Sequence, residues 1–152
     1  MAQGVDFLQS ILEQFELPQA DAKQYSPLTL AYIGDSIFDA VVKSVVVESA
    51  NCPANLLQKK TTKYVKAVAQ AEMIEGLLSE LSEEEQSIYR RGKNAKPYNK
   101  AKNATYFTYL KATGFEALVG YLYLQGRPER AIELIRLGMR RIDAGKQEEN
   151  VS

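Results

Sequence analysis

The sequence contains no histidine, no tryptophan and a single cysteine, Cys52, in 152 residues. Histidine-based acid–base chemistry and Cys/His zinc sites are thereby excluded. An internal disulfide framework is excluded too, and a lone thiol suits a reducing compartment, so a cytoplasmic location is expected. No apolar run approaches the ~20 residues that a membrane-spanning helix needs. The start, Met1-Ala2-Gln3-Gly4, has no basic stretch and no apolar segment behind it, which argues against a secretory signal. No period of about 20–50 residues recurs, which excludes a solenoid. Net charge is lacking as well, since 19 basic and 19 acidic residues cancel. Any chemistry must come from carboxylates, hydroxyls, lysine or tyrosine.

What is present is an ordinary globular mixture, 45% apolar and 25% charged, of a length that fits one domain. The periodicity is helical nearly throughout. Phe7, Leu8, Ile11, Leu12 and Phe15 make a short amphipathic stripe that ends at Leu17-Pro18. Ser26-Pro27 reads as an N-cap followed by proline at the first helical position, where its missing N–H costs nothing. That helix should run to about Glu48, with Leu30, Ile33, Ile37, Val41 and Val45 inward. Pro53 and Asn55 introduce a third helix reaching about Leu78, and Ser82 with Glu85 forms a capping box for a fourth. Residues 92–103 have turn chemistry and read as a basic loop. A very apolar helix centred on Phe115 to Leu124 follows, ending near Gly126. Arg127-Pro128 opens the last helix, and the polar tail from Gly145 is expected to be disordered. The fold expected is all-α.

The zero net charge hides a segregation. Between residues 51 and 71 the charged residues are Lys59, Lys60, Lys63 and Lys66. Between 86 and 115 they are Arg90, Arg91, Lys93, Lys96, Lys100, Lys102 and Lys111, with no acid in either stretch. Charge sorted in this way can build a phosphate-binding face on a neutral protein, or it can be a set of lopsided solvated helix faces.

Two acids stand out. Asp35 sits in Leu30-Ala31-Tyr32-Ile33-Gly34-Asp35-Ser36-Ile37-Phe38, the middle of an otherwise apolar helix. An ionised carboxylate there loses several kcal/mol of hydration unless a cation or donors replace it, and Gly34 costs about 1 kcal/mol relative to alanine. Asp39, one turn on, could share its face. Either Asp35 belongs to a site, or it lies on the wet side of the helix or caps a neighbour. Glu116 is the one acid in Phe115-Glu116-Ala117-Leu118-Val119-Gly120-Tyr121-Leu122-Tyr123-Leu124, with no lysine or arginine within four residues. Such a glutamate is paired with a distant cation of the chain, or it shares a divalent ion with another lone acid. Mg²⁺ suits the second case, because it takes one or two carboxylates, keeps several waters and accepts phosphate oxygens. Gly120 reads as a close helix–helix contact.

At this point the motifs become recognisable. Tyr32-Ile33-Gly34-Asp35-Ser36-Ile37-Phe38 resembles the Gly-Asp helix motif of ribonuclease III domains, and Phe115-Glu116-Ala117-Leu118-Val119-Gly120 is similar to their second acidic motif. Arg90-Arg91-Gly92-Lys93-Asn94-Ala95-Lys96 resembles the connecting segment of the short subfamily called Mini-ribonuclease III, which lacks a separate RNA-binding domain. The likeness runs from about Leu28 to Ala144. It implies an N-terminal helical extension over 1–24, a homodimeric helical-bundle catalytic domain over 25–144 and a tail over 145–152.

The resemblance makes Asp35 and Glu116 catalytic residues and Mg²⁺ ligands in an endoribonuclease of double-stranded RNA, leaving 5′-phosphate and 3′-hydroxyl ends. Lys59, Lys60, Lys63, Arg90, Arg91, Lys93, Asn94, Lys96, Lys100 and Lys102 become candidate RNA contacts. A precursor of large-subunit ribosomal RNA is the implied substrate, and a ribosomal protein a candidate partner. There are departures. Where typical domains carry glutamates four and seven residues before the motif aspartate, this chain has Ala31 and Leu28; where they carry an aspartate three before the second glutamate, it has Thr113. The short subfamily keeps this reduced set and is active. The alternatives are an inactive relative that binds structured RNA or a ribosomal particle, and a helical interaction module that binds no RNA.

Overall fold

Ser26 accepts a hydrogen bond from the Thr29 amide at 3.2 Å, and Pro27 follows at the first helical position, so the second helix begins where the sequence indicates. The computed structural model of the chain describes residues 7–95 and 104–151. The helices in order are α1 (Phe7–Gln14), α2 (Pro27–Ser49), α3 (Ala54–Val65), α4 (Ala67–Leu77), α5 (Glu83–Asn94), α6 (Ala104–Leu124) and α7 (Pro128–Val151), with short 3₁₀ turns at Ala22–Gln24 and Leu78–Glu80. No strand occurs among the described residues, and no helix of them is long and apolar enough to cross a membrane. The all-α expectation holds.

The centre of the bundle is α6. Phe115, Ala117, Leu118, Val119, Tyr121 and Leu122 are wholly buried, because α2, α4, α5 and α7 surround it. An aromatic edge contact of Phe38 on Phe115, with centroids 5.4 Å apart, joins α2 to it. The main chains of α2 and α6 touch. A Cβ at Gly34 would lie 1.7 Å from the Glu116 carbonyl oxygen, and one at Gly120 would lie 2.0 Å from that of Leu30. The helical penalty of Gly34 is therefore offset by close approach, and Gly120 is the helix contact its sequence context suggests. Gly126, with φ 77°, ends α6 in a Schellman turn, with Arg127 N bonded to Leu122 O at 2.8 Å and Gly126 N to Tyr123 O at 3.1 Å. Pro128 then opens α7.

Four expectations need correction. The inward face of α2 is Leu30, Ala31, Gly34, Phe38, Val42 and Val46, while Ile33, Ile37 and Val41 are half-buried and Val45 is 44% exposed. The glycine contact with α6 sets that rotation, and it leaves a second apolar side uncovered.

The single helix expected from residue 53 to 78 is broken at Lys66, whose backbone is extended (φ −72°, ψ 153°). One straight helix carrying Thr61 and Tyr64 inward would also bury Val68; the break instead exposes Val68 and buries Ala69, Gln70 and Met73. The basic loop begins later than residue 92, because α5 continues to Asn94. Gly92 is buried against Ala117 and Gly114 of α6, and that contact carries the helix through residues with turn chemistry. Finally, the tail expected to be disordered from 145 is helical to Val151, since Lys146 through Asn150 contains good helix formers and no proline.

Candidate active site

Asp35 follows Gly34 on α2, and Glu116 lies one turn before Gly120 on α6. The glycine crossing therefore brings two acids from distant parts of the chain to one place. Their side chains come within hydrogen-bonding reach, Asp35 at the exposed edge and Glu116 half-buried behind it. Burial, then the contact and charge of Asp35, push the Glu116 carboxyl up to about 8. Gln70 of α4, only 3% exposed, opposes this by donating from Nε2 to Glu116 Oε2 at 3.4 Å. At neutral pH such a pair holds either a proton or a cation.

The neighbouring acids do not join them. Asp39 pairs with Lys43 at 2.9 Å, and Glu75 with Lys111. Among the described residues, no three or more His, Cys, Asp or Glu side chains are placed so that they could hold a metal ion together. The positions at which the resemblance would place further carboxylates are otherwise occupied. Ala31 is buried, Leu28 is 42% exposed, and Thr113 spends its hydroxyl on the Tyr109 carbonyl at 2.9 Å. The donor set is two hard oxygen groups with room toward solvent on the Asp35 side, which fits an oxygen-seeking divalent ion that keeps waters, Mg²⁺ above all.

The candidate RNA contacts separate into three groups. Arg90, Arg91 and Asn94 are exposed at the end of α5, beside the turn of α6 that carries Glu116, and Lys93 lies 5.8 Å over the Tyr89 ring. Lys59 and Lys60 are exposed on α3. Lys63 is bonded to Asp143 at 2.7 Å, and the same carboxylate accepts from the Tyr64 hydroxyl at 2.7 Å, so it ties α3 to α7. Lys96, Lys100 and Lys102 lie outside the described residues. Gln70 is the residue at the site that sequence reasoning missed. Its signal is a lone amide in Ala67-Val68-Ala69-Gln70-Ala71, weak because an uncharged side chain raises no desolvation alarm.

Helices packed around a central apolar one, with two acids meeting at the crossing, define the class. A sequence model of the Ribonuclease III domain matches residues 28–127, which is well over half of the chain. The chain belongs to the ribonuclease III family and is an endoribonuclease of that family. More particularly, it is 46% identical over 118 residues to Mini-ribonuclease 3 of Thermoanaerobacter sp. (strain X514), covering 78% of this chain and 83% of the relative. It is 42% identical over 124 residues to Mini-ribonuclease 3 of Enterococcus faecalis, covering 80% and 94%. The crystal structure of protein FN1578 from Fusobacterium nucleatum superposes with a TM-score of 0.69 at 27% identity, covering 79% of this chain and 96% of that one.

Proposed function

We infer that this endoribonuclease is Mg²⁺-dependent, cleaves double-stranded RNA and matures large-subunit (23S) ribosomal RNA as a homodimer. One observation carries the reading: Asp35 and Glu116 come together in a helical wall, and among the described residues no lysine or arginine bridges them. Asp35 and Glu116 are the residues that would hold the ion. When bound, a divalent cation compensates their charge, acidifies a coordinated water and stabilises charge on the scissile phosphate. Glu116 supplies the more buried oxygen, and Asp35 supplies the oxygen nearest to solvent, where RNA must arrive. Arg90, Arg91, Lys93 and Asn94 hold the phosphate backbone next to that opening. A-form RNA presents phosphates and 2′-hydroxyls across a shallow minor groove, so contacts of this kind need little sequence specificity.

The dimer reading rests on the uncovered side of α2. Ile37, Val41 and Val45 line a groove with Tyr123, Pro128 and Ile132, and Tyr32 is 80% exposed nearby on the same helix. A second copy related by two-fold symmetry would cover this row with itself.

The test uses long double-stranded RNA with Mg²⁺. Asp35→Asn and Glu116→Gln should each lose cleavage by about a thousandfold, the several kcal/mol that metal charge stabilisation supplies, while RNA binding persists. Undiminished cleavage in a chelator, or in both variants, would sink the proposal.

A further inference from the structure

The nuclease reading leaves one buried polar group at the site without an assigned task. We propose that Gln70 is a positioning residue, fixing the Glu116 carboxylate so that one oxygen is held and the other is left for the cation; this rests on the nuclease reading above. Gln70 is 3% exposed on a helix whose neighbouring inward residues are Ala69, Met73 and Ile74. A methionine or leucine there would bury apolar surface with no hydration to lose, whereas a buried amide costs about 1–3 kcal/mol unless it is partnered. Its Nε2 donates to Glu116 Oε2 at 3.4 Å, from α4 across to α6.

The choice of an amide follows from what the other donors would do. A lysine or arginine at this position would cancel the Glu116 charge, as Arg130 does for Glu85 elsewhere in the bundle, and nothing would remain to attract a cation. An acid would add a third negative charge. A neutral donor orients the carboxylate and leaves its charge intact, which is what a ligand to a hard cation requires. Groups that hydrogen-bond to metal-ligating carboxylates typically change metal affinity or activity by about 10–100-fold when they are removed.

The full-length chain is compared with Gln70→Met, which keeps the volume and removes the donor. Mn²⁺ binding without RNA is followed by electron paramagnetic resonance, kcat and KM are measured on double-stranded RNA with Mg²⁺, and melting is recorded in a chelator. The expected result is a Mn²⁺ affinity and a kcat each about tenfold lower, KM unchanged, and a melting temperature close to wild type. A folded Gln70→Met that binds Mn²⁺ and turns over like wild type overturns the proposal. Gln70→Glu covers the case in which the methionine variant does not fold. It places an acceptor against Glu116, so kcat at saturating Mg²⁺ should fall by about tenfold or more, and a wild-type kcat counts against the idea equally. Glu116→Gln is the control for the underlying reading. If it binds Mn²⁺ as wild type does, the ion site fails together with Gln70; if only the Gln70 variants are silent, the positioning role alone fails.

Discussion

Glu85 and Glu116 are both withdrawn from solvent, and they are treated in opposite ways. Glu85, 2% exposed, receives Arg130 at both oxygens (2.8 and 2.9 Å) and also accepts from the Ser82 amide at 2.9 Å to close the capping box of α5. Arg130 and these bonds hold its carboxyl below the usual range. Glu116 receives a single amide and faces another acid, and its carboxyl is pushed up to about 8. The chain can neutralise a buried acid, and at Glu85 it does so thoroughly. That it leaves Glu116 uncompensated marks a position where something from outside the chain completes the charge balance. Strained electrostatics of this kind gathers at functional sites.

The largest expected separation of the two is in stability. Arg130→Met strands the Glu85 charge and should cost about 2–3 kcal/mol, somewhat under the usual 3–5 for a fully buried pair because the arginine side chain is 27% exposed. Glu116→Gln should cost nothing, or raise the melting temperature in a chelator. Denaturant unfolding of both variants checks this, and equal losses would erase the contrast.

The next effect is in pH dependence. The Glu116 carboxyl is pushed up to about 8 from an ordinary glutamate's 4.5, so its folded state binds the extra proton. Its contribution is fully present below about pH 4.5 and is lost as pH rises through about 8. Glu85, shifted down, contributes above its unfolded value and loses that contribution on acidification. Without divalent ions, wild type should lose of order 1–2 kcal/mol relative to Glu116→Gln between pH 5 and 8, after allowance for relaxation and water. Mg²⁺ should restore it. Parallel pH profiles for the two proteins would contradict the assignment.

The smallest effect lies on the surface. Replacing Arg90 and Arg91 together by alanine should flatten the salt dependence of RNA binding by about one to two units, while Lys63→Ala should leave that slope alone and loosen the α3–α7 contact. Binding titrations at several salt concentrations distinguish them.

Local chemistry was legible in the sequence. Ser26-Pro27, the Ser82/Glu85 box and the Gly126-Arg127-Pro128 break are short-range signals, and each stands where it was read. Asp35 and Glu116 were legible as single misfits, because a charge in an apolar helix is conspicuous whatever surrounds it. That they meet came from the family resemblance and not from periodicity, since the crossing depends on which glycine faces which helix. The same cause explains the misjudged inward face of α2. The break at Lys66 and the extension of α5 past Gly92 are imposed by packing on α6 and leave no periodic trace. Lys63 read as a surface cation because its partner, Asp143, lies on the last helix.

The bare contact between Gly34 and Gly120 has a mechanical implication. With no side chain between the two main chains, the gap between the helices is set by the hard radii of backbone atoms, the least compressible ruler available inside a protein. The acids beside it are mounted on that ruler, so the separation of the main chains that carry them is the same whichever substrate arrives. Adaptation to different RNAs is left to the residues around the rim.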